Sequence, residues 1–255
     1  IKEFMDDPFK VSAILRPRRF GKSLNLSMLK SFLSIGAISS NFDRFLIAKE
    51  EEFVMKHCGQ YPVVFLDLKD CKGETWKEMY KAAWRSIGIM VLRHSDEISL
   101  EIEKRKSFGI VYENPAAHEE EGIVSDSLAW LMSSLNKKYK KRVMVLVDEY
   151  DAPLNHAFRK GYYDQASSFF GSFYSQALKG NSALKKACLM GIVEVRGAGI
   201  LSGLNNVGVD SVRKRDYQSS FGFCINEVQA MLASIGRSDL YDQVMNWYNG
   251  YHIGT

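Results

Sequence analysis

The strongest constraint on this chain is the octapeptide Arg16-Pro17-Arg18-Arg19-Phe20-Gly21-Lys22-Ser23, set between the apolar run Val11 to Leu15 and the stripe Leu26, Leu29 and Leu33. A β-branched run, a short loop and apolar residues at helical spacing read as strand, loop and helix, with Gly36 as the helix stop. The octapeptide fits G-x-x-x-x-G-K-S at every fixed position but the first, where arginine replaces glycine. A loop of this kind aims backbone N–H groups and the positive end of a helix dipole at anionic oxygens. Gly21 allows close approach of the backbone. Lys22 brings a mobile charge between β- and γ-phosphates, and the Ser23 hydroxyl is a ligand for Mg2+. The candidate nucleotide contacts are therefore Arg18, Arg19, Phe20, Gly21, Lys22, Ser23 and Leu24. Arg16 in the first position implies a loop whose entry is not left-handed, or one tightened by the fixed φ of Pro17.

An acidic partner lies downstream. Val143 to Val147 is an apolar strand that ends in Asp148 and Glu149. Neighbouring strand residues face opposite ways, so the two acids can divide the work. Asp148 orients Mg2+ through water, and Glu149 activates the attacking water. Glu149 and Lys22 are the catalytic candidates, Ser23 and Asp148 the metal candidates, and ATP with Mg2+ the expected cofactors. Tyr150-Asp151-Ala152-Pro153 then turns the chain, and Asp151 is expected to cap the next helix rather than support the metal shell.

Elsewhere, short apolar runs alternate with helical patterns, which implies a mostly parallel sheet. The five candidate strands are Val11 to Leu15, Val63 to Leu68, Val143 to Val147, Ala187 to Val193 and Val207 to Val212. Leu128, Leu131, Leu135 and Tyr139 form a helical face that Ser125 or Asp126 could cap. Phe169, Phe170, Phe173, Tyr174 and Leu178 form an aromatic stripe expected in the core. The expected organisation is a nucleotide-binding domain over 1–223 with an insertion near 95–122, and a small, truncated helical subdomain over 224–255.

Composition excludes several classes. With 255 residues, 46% hydrophobic and 25% charged, the chain can bury a core and is not disordered. Its four cysteines form no C-x-x-C pair, so a zinc site and a disulfide framework are not indicated, and a reducing cytoplasm is expected. The apolar runs are strand-sized, too short for a membrane span. The formal charge of +4 predicts neither nucleic-acid nor membrane binding by itself. Arg16, Arg18, Arg19 and Lys22 concentrate charge at the phosphate loop. Lys137 to Arg142 closes a helix at the opposite sheet edge, where it suits the helix dipole, with a nucleic-acid contact as the alternative. Arg213 or Arg215, after the fifth strand, is either a γ-phosphate sensor or a surface residue.

Arg-Pro-Arg-Arg-Phe-Gly-Lys-Ser at 16–23, Val-Asp-Glu-Tyr-Asp-Ala-Pro-Leu at 147–154, Gly-Tyr-Tyr-Asp at 161–164, Ser-Gly-Leu-Asn-Asn at 202–206 and Trp-Tyr-Asn-Gly-Tyr at 247–251 together resemble the AAA-ATPase-like family. The resemblance implies a P-loop NTPase three-layer α/β sandwich whose five strands run in the order 5-1-4-3-2, with a small C-terminal helical appendage. It also implies a PD-(D/E)XK nuclease-type domain downstream, for which these 255 residues leave no room. Leu189-Met190-Gly191-Ile192-Val193-Glu194 departs from the family pattern, with Met190 where a polar sensor is expected and Glu194 where a base is expected. A thioether cannot orient water and a carboxylate repels phosphate, so weak or absent hydrolysis is implied, with Arg196 as a substitute cation.

Two main readings follow. One is ATP hydrolysis coupled to conformational change of a downstream nuclease-like domain. The other is a nucleotide-binding switch or interaction module without turnover, motivated by Arg16, Met190 and Glu194. A minor reading, a metal-dependent nuclease, draws on Asp67-Leu68-Lys69 with Asp43 as a second acid. His57, Cys58 and His156 lack a nucleophile–base context and read as ordinary residues.

Overall fold

Five apolar runs associate into one sheet in the computed structural model, which describes residues 1–98, 121–193, 204, 206–214 and 216–248. They are β1 (Val11–Leu15), β2 (Val63–Asp67), β3 (Val143–Asp148), β4 (Leu184–Gly191) and β5 (Val207–Asp210). Every pairing is parallel and the order is β2-β3-β4-β1-β5, which read from the other edge is 5-1-4-3-2. A parallel sheet is covered on both faces, and accordingly every residue of β1 and β3 is buried.

Alternation along the strands divides the core. Ile14, Met144, Leu146, Cys188 and Met190 face α1 (Lys2–Asp6), α2 (Lys22–Leu33) and α3 (Glu51–His57). Val11, Ala13, Val145, Val147 and Leu189 face the other way, toward α4 (Trp76–Leu92), α5 (Glu121–Tyr139), α6 (Ala152–Lys160) and α7 (Tyr163–Leu178). The result is an α/β sandwich of the P-loop NTPase type. The aromatic stripe of α7 is buried as expected, and Trp76 and Tyr80 of α4 meet the Phe169 ring edge-on, with centroids 5.9 and 5.4 Å away. Two further helices, α8 (Ile225–Ser234) and α9 (Tyr241–Tyr248), follow β5; of their residues only Leu232 is buried.

Several boundaries differ from the sequence expectation. β4 starts at Leu184 rather than Ala187. Lys185 and Lys186 disguise that start, since Lys186 is buried, donates to the Asp7 carbonyl and lies 5.3 Å from the centroid of the Phe4 ring. β4 stops at Gly191 and β5 at Asp210, short of Val193 and Val212. α5 begins at Glu121, so Ser125 and Asp126 lie inside it instead of capping it, and the Ser125 hydroxyl donates to Asp126 Oδ1 at 3.1 Å. Most of the expected insertion at 95–122, along with Glu194, Arg196, Arg215, much of 202–206 and 249–251, lies outside the described residues. Among the described residues no helix is long and apolar enough to cross a membrane.

Candidate functional site

In a parallel sheet the loops leaving the C-terminal strand ends meet along one edge, where α/β proteins bind ligands. Here that edge gathers the phosphate loop after β1, Lys69 after β2, Glu149 and Asp151 after β3 and Ile192 after β4. Together they bound a cleft of about 440 Å³.

The loop opens with Arg16 turned inward. Arg16 is fully buried, donates to the carbonyls of Leu15, Asp210 and Asp216, and pairs with the Asp210 carboxylate at 2.6 Å. Its guanidinium lies 5.0 Å from the centre of the Phe221 ring. Arg16 is thus no part of the charge offered to a ligand, in contrast to its expected grouping with Arg18, Arg19 and Lys22. The left-handed residues of the loop are Arg19, at φ 68°, and Gly21, at φ 76°, so the entry is not left-handed. The loop is also held from its β5 side. Asn25 Nδ2 donates to the carbonyls of Gly21 and Ser220, and the Phe20 carbonyl accepts from Gly222 N. The Phe20 side chain packs toward the α2 core and against Gly222, and it does not line the cleft.

At the head of α2, Gly21 occupies the N-cap position without a side-chain cap, which leaves the helix's first N–H groups to the cleft. Lys22 is almost completely buried. Its ammonium donates to the Pro17 carbonyl at 3.1 Å and stands 3.8 Å from Glu149 Oε1. The Ser23 hydroxyl lies beside Asp148, whose Oδ1 accepts from Glu149 N at 3.0 Å. Burial pushes the Asp148 carboxyl above the usual carboxylate range, opposed by the nearby Ser23 hydroxyl, which favours the charged form. Burial also raises the Glu149 carboxyl, and the nearby Lys22 charge opposes that shift. Glu149 takes the left-handed conformation, φ 53°, which is uncommon outside glycine and clusters at functional sites.

Arg18, Arg19, Gly21, Lys22, Ser23, Leu24 and Glu149 all line the cleft, and Asp148 lies behind Ser23. Ser23 and Asp148, neighbours at the head of α2, carry hard oxygens of the kind that suits Mg2+. Among the described residues no three of histidine, cysteine, aspartate and glutamate converge on one point. Mg2+ needs few protein ligands, because it keeps waters and takes phosphate oxygens.

Three expectations are corrected here. Asp151 stands at the N-cap of α6, yet its carboxylate does not cap that helix. It is fully buried, and Oδ2 accepts from Ile192 N, Val193 N and Asn155 Nδ2 at 3.1, 3.0 and 2.9 Å, tying the end of β3 to the end of β4. Gly191 is required between them, since a Cβ there would lie 2.5 Å from the Tyr150 ring and 2.6 Å from Asp151 Oδ1. Met190, the expected stand-in for a polar sensor, is buried in the α2 core, and Ile192 reaches the cleft instead. The nuclease reading loses its second acid. Asp43 follows the turn Ser39–Phe42, and Phe42 packs on Phe32 at the far end of α2, roughly 18 Å of helix from the cleft. Asp67 Oδ1 accepts from Lys69 N and closes its own turn.

The sequence reading missed Lys72, Asn155 and Arg159 as cleft residues and assigned Lys69 to the nuclease motif. Their one common signal is position just after a strand end or on the helix after the Asp-Glu strand. Arg213 is exposed and does not line the cleft. The basic run 137–142 ends at the start of β3, at the edge opposite the cleft, where Lys141 donates to Gln60 Oε1. His156 contacts the Gly73 carbonyl and His57 the Tyr61 hydroxyl.

Among known proteins, the family model described as a predicted AAA-ATPase, AAA-ATPase-like, matches residues 1–201. An Azotobacter chroococcum mcd 1 protein, named only as an uncharacterized protein in the vnfD 5′ region, is 26% identical over 246 residues. The match covers 93% of this chain and 41% of that relative, so the chain spans less than half of the relative's length. No solved structure matches.

Proposed function

The chain belongs to the AAA-ATPase-like family, and from that premise we propose that its cleft binds ATP with Mg2+ and hydrolyses it. The observation that carries this reading is the convergence of four residues from two distant segments. The Ser23 hydroxyl neighbours Asp148, and Lys22 stands 3.8 Å from Glu149, all at the open head of α2. No structural role for a surface loop asks for that combination.

Each group has a defined task. The free N–H groups of α2 and Lys22 hold the β- and γ-phosphates, Lys22 exchanging the Pro17 carbonyl for phosphate oxygen. Ser23 and Asp148 would hold Mg2+, which neutralises charge on the phosphates when bound. Glu149 takes a proton from a water as its oxygen adds to the terminal phosphorus and the bond to the leaving diphosphate breaks. Its raised affinity for protons suits a general base. We further propose that 1–223 is the nucleotide domain, that 224–255 begins the connection to a further, nuclease-like domain, and that nucleotide state is passed along it.

The non-hydrolysing switch rests on Arg16, Met190 and Glu194, and the first two are buried away from the cleft. Phosphate release from Mg·ATP separates the readings. Wild type should release phosphate about 10²-fold or more faster than Glu149→Gln, with nucleotide still bound by that variant. Equal rates in the two proteins would select the switch. Stimulation by DNA or RNA that fades with salt would identify a nucleic-acid partner.

A further inference from the structure

Among the described residues six cations line the cleft, and the phosphate loop contributes three of them, Arg18, Arg19 and Lys22. Lys69 and Lys72 come from the segment after β2, and Arg159 comes from α6. Along the sheet edge the order is phosphate loop, Ile192, Glu149, Lys69, following β1, β4, β3 and β2. Lys69 therefore lies on the β2 side of Glu149, and Lys72 follows it in the same segment on the cleft wall. A terminal phosphate reached by Lys22 would share the cleft with both lysines.

This shelf is rigidly built. The Gly73 carbonyl accepts from the Tyr162 hydroxyl at 2.6 Å and contacts His156 Nε2 at 2.9 Å, and Glu74 pairs with Lys160 at 2.5 Å. Cys71 is fully buried beneath the segment, and Gly73 lies so close to α4 that a Cβ would fall 2.4 Å from Met79 N. The segment carrying both lysines is thus braced by α6 and its C-terminal end, the helix that carries Arg159. Arg159 Nε is committed to the Asn155 carbonyl. Among the described residues, Lys69, Lys72 and Arg159 form no ion pair. Like charges gathered around one cleft repel each other, and an anion that enters relieves that repulsion.

We propose that Lys69, Lys72 and Arg159 form a terminal-phosphate subsite through which one chain distinguishes nucleoside triphosphate from diphosphate with its own charges. The proposal rests on the nucleotide reading above. Its test is calorimetric titration of the full chain, with Mg2+, by a non-hydrolysable imidotriphosphate analogue of ATP and by ADP. In the Lys69→Ala/Lys72→Ala double variant and in Arg159→Ala, affinity for the triphosphate should fall about tenfold or more while ADP stays within about twofold. The Lys69→Arg/Lys72→Arg variant should keep the discrimination. Equal weakening of both ligands, or no change in either, would overturn the subsite. If wild type binds neither nucleotide, or binding ignores Lys22→Ala, the nucleotide reading itself fails; a normal Lys22 dependence with an unchanged ratio defeats the subsite alone.

Discussion

Glu149 combines a left-handed backbone, partial burial and a lysine 3.8 Å away, and each has a consequence that can be measured. Burial raises its carboxyl, so the folded state favours the protonated form. The resulting stabilisation is complete below the unfolded chain's ordinary carboxylate value and is lost as pH rises through the raised folded value. At pH 7 to 8 the charged group therefore weighs against the ligand-free fold. Glu149→Gln should melt higher than wild type there, by ~2 °C for an effect of less than about 1 kcal/mol after screening at its exposed side. The gap should close as pH falls to the ordinary carboxylate range; a gap independent of pH would show that Glu149 carries no such burden. Lys22, Ser23, Asp148 and Glu149 were legible because each belongs to a short contiguous pattern, a loop or a strand end. Lys69, Lys72 and Arg159 were not, because three separated segments bring them together and no local pattern marks them.

At the scale of elements, the phosphate loop is gripped from its β5 side as well as by β1. Arg16 joins β1 to Asp210 at the end of β5, and the segment after β5 returns over the loop through Asp216, Ser220, Phe221 and Gly222. Arginine in the place of the first glycine exchanges a flexible entry for a fixed one. Arg16→Ala leaves Asp210 buried without its partner, and urea unfolding should show a loss of about 3–5 kcal/mol. Arg16→Met with Asp210→Leu removes both charges and should recover most of that loss; a double variant as unstable as the single would show that the ion pair is not the cause. The sequence could not reveal this role. Arg16 sits beside Arg18 and Arg19 in the chain, while its partner lies 194 positions away. The sheet order, by contrast, was legible from the alternation of strands and helices together with the family resemblance. The start of β4 was hidden because the buried Lys186 reads as a solvent-facing residue.

For the whole molecule, the sum of +4 says less than its distribution. Among the described residues six cations face one cleft, the run at 137–142 lies at the opposite edge, and Arg16 is cancelled internally. The parallel sheet aims four strand ends at that cleft, which is how segments as distant as residues 18–24, 69–72, 149–159 and 192 come to border one cleft. The central proposal is that this cleft binds Mg·ATP, held through Lys22. Titration of wild type and Lys22→Ala with Mg·ATP, followed by calorimetry, tests it most directly. Saturable binding by wild type that Lys22→Ala weakens about tenfold or more is the predicted result; equal affinity in the two proteins, or no binding by wild type, would contradict it.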